Sequence, residues 1–115
     1  MHRLVVILAI LVLGVAAATA LADDYVGTRG NDTLTGTRGP DRLRGKKGDD
    51  TLIGDAGADK LVGGPGNDTL LGGAGRDKLV GGPGADVISC GAGRDVVITD
   101  GLDNISSDCE VRRSG

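Results

Sequence analysis

Eight aspartates recur at intervals of nine residues: Asp32, Asp41, Asp50, Asp59, Asp68, Asp77, Asp86 and Asp95. A carboxylate can move protons or donate hard oxygen to a cation. All eight sit in the same repeated context, so they are committed to the repeat and not to a unique catalytic centre. The chemistry that suits a repeated carboxylate is cation ligation. No Lys or Arg recurs in the aspartate column to neutralise it, and no column of His or Cys accompanies it. That donor set excludes a dedicated zinc or copper site. Mg²⁺ prefers to keep its water in a tight octahedron, whereas Ca²⁺ accepts a looser cage of carboxylates and backbone carbonyls.

The elements that must position these aspartates follow from the period. Nonapeptides begin at Gly27, Gly36, Gly45, Gly54, Gly63, Gly72, Gly81 and Cys90, without a gap, and end at Ile98. Position four is Gly throughout, from Gly30 to Gly93, position six is the aspartate, and position eight is Leu34, Leu43, Leu52, Leu61, Leu70, Leu79, Ile88 or Val97. The pattern is clearest in Gly63 to Val80, which spells Gly-Gly-x-Gly-x-Asp-x-Leu-x twice. Each repeat has six polar, Gly-rich residues, which make a turn, and three centred on an aliphatic, which make a short strand. Alternation in the strand sends position eight to one face and positions seven and nine to the other. Two nonapeptides therefore make one coil of 18 residues. Stacked coils form a thin aliphatic core and two aspartate files. One file is Asp32, Asp50, Asp68, Asp86; the other is Asp41, Asp59, Asp77, Asp95. Carboxylates stacked at the ~4.8 Å strand spacing repel one another, and a cation between coils resolves the repulsion.

These columns resemble the RTX (repeats-in-toxin), hemolysin-type calcium-binding nonapeptide over Gly27 to Ile98. The resemblance implies an all-β fold, a right-handed parallel β-roll of about four coils with two nonapeptides each. It implies Ca²⁺ between successive turns on both sides, about six ions, held by the eight aspartates. Main-chain carbonyls of the glycine loops, such as Gly63, Gly64, Gly72, Gly73, Gly81 and Gly82, complete the cages. Thr28, Thr37, Lys46 and Asp55 depart from the second glycine of the pattern. In larger relatives the repeats accompany a protease, lipase or toxin domain, for which no residues are present here.

Composition bounds the rest. Gly is 22 of 115 residues, far above the usual ~7%, which alone would read as a linker. Tyr25 is the only aromatic, so a large globular core is excluded. Eight aliphatics form too thin a core to order a Gly-rich chain unaided, so the metal-free form is expected to be largely unfolded. The net charge of −3 is too mild to imply nucleic acid as a partner. His2 is the only histidine and no nucleophile–base pair is present, so an enzyme is not expected.

Residues 1–22 carry His2 and Arg3, an apolar run from Leu4 to Ala18, and Ala20-Leu21-Ala22. This is the pattern of a secretory signal peptide cut after Ala22. The run is short of the ~20 residues that span a bilayer. The mature chain would begin at Asp23, extracellular and free of the membrane. Residues 23–98 form the roll and 99–115 a capping half-repeat and tail. In a secreted chain Cys90 and Cys109 read as a disulfide that staples this end. Asp103, eight residues after Asp95, preserves Gly-x-Asp-x-aliphatic with a shortened loop, and a seventh ion between Asp103 and Asp86 is one reading of it.

Position seven alternates between Thr33, Thr51, Thr69 and Arg42, Lys60, Lys78. These ladders are either solvated faces or a surface for ice, a glycan or an anionic cell-wall polymer. The sequence names no extracellular partner.

Overall fold

The computed structural model describes residues 23–99 and 102–113. The expected signal peptide lies outside the described residues. Eleven short strands follow one another: β1 (Asp23–Val26), β2 (Thr33–Thr35), β3 (Asp41–Arg44), β4 (Thr51–Ile53), β5 (Lys60–Val62), β6 (Thr69–Leu71), β7 (Lys78–Val80), β8 (Val87–Ser89), β9 (Val96–Thr99), β10 (Asn104–Ile105) and β11 (Glu110–Arg113). Odd strands form one sheet, β1-β3-β5-β7-β9-β11, and even strands the other, β10-β8-β6-β4-β2. Every pairing is parallel. This is a parallel β-solenoid, and its eight regular nonapeptides make four coils.

Register follows the period. Leu34 lies beside Leu52, Leu52 beside Leu70, and Leu70 beside Ile88. In the other sheet Leu43, Leu61, Leu79 and Val97 align the same way. All eight are at most 2% exposed, and with Cys90 they form a single core cluster. Each buried aliphatic contributes roughly 1.5–3 kcal/mol. Backbone bonds lock successive coils: Thr69 N–H donates to Asp50 O at 2.8 Å, and Gly63 N–H to Val80 O at 2.9 Å.

The stack extends past the regular repeats at both ends. Asp23 aligns with Asp41 and Tyr25 with Leu43, so β1 adds a strand and an aspartate before Gly27. At the other end Ile105 aligns with Ile88, and β11 pairs with β9. Tyr25 and Ile105 pack against the core as its two lids. The Cys90–Cys109 disulfide is formed. Glu110 aligns with Val96, which places Cys109 beside Asp95, where a next aspartate of that file would stand.

Candidate metal centre

The two aspartate files exist as the period requires, with a hydrogen-bond ladder along each. Asp50 N–H donates to Asp68 Oδ1 at 2.8 Å, and Asp68 N–H to Asp86 Oδ1 at 2.7 Å. In the second file Asp41, Asp59 and Asp77 donate to Asp59, Asp77 and Asp95 at 2.8, 2.9 and 2.6 Å. One carboxylate oxygen of each aspartate is thus spent on positioning. The other decides the chemistry. Oδ2 of Asp50, Asp59, Asp68, Asp77, Asp86 and Asp95 is buried and has no hydrogen-bond partner. An unpaired buried carboxylate oxygen is strongly unfavourable, and a proton or a bound cation relieves it.

Asp32 and Asp41 differ. Thr28 N–H donates to Asp32 Oδ2 at 2.5 Å and Thr28 Oγ1 lies 3.0 Å from both carboxylate oxygens. Thr37 treats Asp41 in the same way, at 2.7 and 3.1 Å. Asp103 joins the first file, accepting from Asp86 N–H at 3.0 Å, and its Oδ2 accepts from Thr99 Oγ1 at 2.7 Å. A threonine four residues before the aspartate seals each of these three carboxylates.

Turn conformation separates Asp32 and Asp41 from the six in the same way. In the six open turns position two has positive φ: Lys46 (71°), Asp55 (72°), Gly64 (88°), Gly73 (84°), Gly82 (88°) and Gly91 (84°). Lys46 and Asp55 therefore keep the glycine-type turn despite their side chains. Neither Thr28 nor Thr37 has positive φ.

Close stacking explains the glycines and aims the carbonyls. A Cβ on Gly73 would lie 2.1 Å from Asp55 O, and one on Gly66 would lie 2.3 Å from Gly48 O. Carbonyls of one coil thus point at the next. Those of Gly63, Gly64, Gly72 and Gly73 lie 2.6–2.9 Å from the Cβ place of a glycine in a neighbouring coil. Gly81 and Gly82 hold the matching places of the turn before Asp86. A Cβ on Gly63 would lie 2.4 Å from Asp68 Oδ2, so the first glycine keeps the space around the orphaned oxygen clear.

Burial raises the carboxyl pKa values, to about 7 for Asp59, Asp77 and Asp86 and about 6 for Asp68. The donated backbone N–H works against this, and the neighbouring carboxylates of the file add to it. Asp41, Asp50 and Asp95 are raised for the same leading reason, burial. A bound divalent cation reverses that balance. Carboxylate and carbonyl oxygens between coils fit Ca²⁺. Cys90, Cys109 and Asp108 also cluster, but the disulfide removes both thiolates as ligands.

Among the described residues no helix is long and apolar enough to cross a membrane. No curated protein and no solved structure matches the chain. The RTX calcium-binding nonapeptide repeat matches it in four copies, over residues 18–39, 26–61, 35–70 and 62–97. The first copy reaches back over Asp23 and Tyr25, which the register independently places in the solenoid. That repeat is a structural, calcium-binding one, and with its aspartate files in a β-solenoid the chain belongs to the RTX calcium-binding repeat family.

Proposed function

We propose that this is a secreted calcium-binding β-roll with a structural or interaction role, whose folding and calcium binding are one event. The observation that carries the reading is the set of six buried, partnerless Oδ2 atoms. We assign one ion to each: Asp50, Asp68 and Asp86 on one side, Asp59, Asp77 and Asp95 on the other. Carbonyls of the glycine turns, among them Gly63, Gly64, Gly72 and Gly73, complete the cages, with Gly81 and Gly82 in the matching turn. Asp32 and Asp41 position the first coil and hold no ion of their own. The Thr99 bond to Asp103 argues against a seventh ion there. The leader-like residues 1–22 and the disulfide support export to an oxidising, calcium-rich space.

Circular dichroism of the chain from Asp23 onward, titrated with calcium and then with chelator, tests this. The β signal should appear with calcium and vanish with chelator. A signal that ignores both refutes coupled folding. Equilibrium dialysis should count about six ions, the number of orphaned oxygens.

A further inference from the structure

We propose that the outer face of the odd-strand sheet binds a linear, carboxylate-bearing polysaccharide. Arg42, Lys60 and Lys78 lie in register on adjacent strands. Arg76 and Arg94 stand two residues before the position-seven column of β7 and β9, and all five cations are exposed. No side chain of the five makes a hydrogen bond or an ion pair within the described residues. Like charges directly opposite across a sheet are destabilising, and no ion pair relieves these. Solubility does not explain the clustering. The even-strand sheet presents Thr33, Thr51 and Thr69 in the equivalent column. Asn31, Asp49 and Asn67 precede that column, so Asp49 is the one charge among these six.

A groove of about 620 Å³ runs among these cations, floored in part by Pro40, Ala58, Val96 and Ile98. The cations of the column repeat at the strand spacing of ~4.8 Å. An extended polyuronate carries one carboxylate per sugar along its length. Its ring C–H faces suit the apolar floor, and each guanidinium can take a carboxylate with two parallel bonds. No aromatic side chain lines the groove, so it lacks the stacking platform that single-stranded nucleic acid uses. Asp24 beside Arg42 and Glu110 beside Val96 end the column with acids, which limits the footprint to the middle strands. Asp41, Asp59 and Asp77 also border the groove. Thr37 holds the Asp41 carboxylate, and the proposal rests on the calcium reading in one respect, that cations offset the charges of Asp59 and Asp77.

The test is fluorescence anisotropy of a labelled polygalacturonate oligomer with the calcium-loaded chain, with circular dichroism on the same samples. The variant R42Q/K60Q/R76Q/K78Q should bind at least about tenfold more weakly, a change of about 1.4 kcal/mol, with its β signal intact. The turn variant K46Q/K47Q, off this face, should bind like the parent. Binding should weaken as salt is raised. Equal binding by the parent and the four-site variant overturns the proposal, as does equal binding of an uncharged glucan. Tighter binding of poly(glycerol phosphate) than of polygalacturonate overturns the carboxylate assignment. The calcium reading fails separately, if the β signal ignores chelator while the polymer still binds.

Discussion

The turns at the ends of the roll and those in its middle solve one problem in opposite ways. Each must accommodate a carboxylate with one oxygen left over. The turns of Asp32, Asp41 and Asp103 supply a threonine hydroxyl, and the first two also supply that threonine's N–H. The six turns between them supply nothing and leave Oδ2 buried and bare. The ends can satisfy their carboxylates alone; the middle cannot. Coils built this way are finished at their termini and leave carboxylate oxygens unpartnered inside, as a repeat stack with atypical end units does.

The comparison breaks most visibly at Asp68. Its Oδ1 holds Asp50 N–H and its own N–H holds Asp86 Oδ1, so Asp68→Ala removes ligand and ladder together. We expect the calcium midpoint for folding to rise at least about tenfold, about 1.4 kcal/mol, by circular dichroism titration. Asp32→Ala removes a carboxylate held by Thr28 and no bare oxygen, and should shift the midpoint about threefold or less. Equal shifts at the two positions contradict the distinction between sealed and open turns.

Proton competition sharpens the same contrast. Burial pushes the carboxyls of Asp59, Asp77 and Asp86 up to about 7 and that of Asp68 to about 6 in the metal-free fold, against an ordinary 3.8. A pKa raised on folding means the folded state binds more protons between those values. Its stability is full below about pH 4 and is lost as pH rises through 6–7. Chelated protein should therefore show more β signal at about pH 5 than at about pH 8. Calcium needs the ionised form, so its affinity should fall over the same window as pH drops. A chelated signal flat across this range contradicts the account.

Much of this was legible in the sequence because a strict period fixes register, and register fixes neighbours. The aspartate files and the leucine core needed nothing more. Asp23 and Tyr25 were not visible as a coil, because no glycine turn precedes them; pairing with β3 reveals them. Position two was misleading. Lys46 and Asp55 look like departures, yet their φ matches glycine. Thr28 and Thr37 look like the same departure and change the site. The signal was Thr-x-x-x-Asp, which also marks Thr99 and Asp103, but its meaning requires knowing that position two faces Oδ2. The groove is likewise invisible in the chain, since Arg76 and Arg94 belong to a different column from Lys60 and Lys78 until the sheet is built.

Opening a sealed turn has a smaller effect and a more specific readout. T28G/T37G removes the hydroxyls that satisfy Asp32 and Asp41 and gives both turns the glycine pattern. Equilibrium dialysis should count more bound calcium than in the parent, with little change in the β signal at saturating calcium. An unchanged count places the difference between the turns elsewhere than in these threonines.

The smallest effect sets the same substitution against the opposite turn. Lys46 holds φ of 71° with a side chain, which costs roughly 1–2 kcal/mol where glycine pays little. Lys46→Gly relieves that strain without touching an Oδ2 contact, although glycine also loosens the unfolded chain. The net gain should be about 1 kcal/mol or less, read as a lower calcium midpoint for folding. Thr28→Gly releases no positive φ and forfeits the hydroxyl's bonds to Asp32, so at low calcium it should move the midpoint the other way. One substitution, at one position of the repeat, then has opposite signs in the two kinds of turn. Matching signs would mean that the turns differ in residue type alone and not in how they satisfy their aspartates.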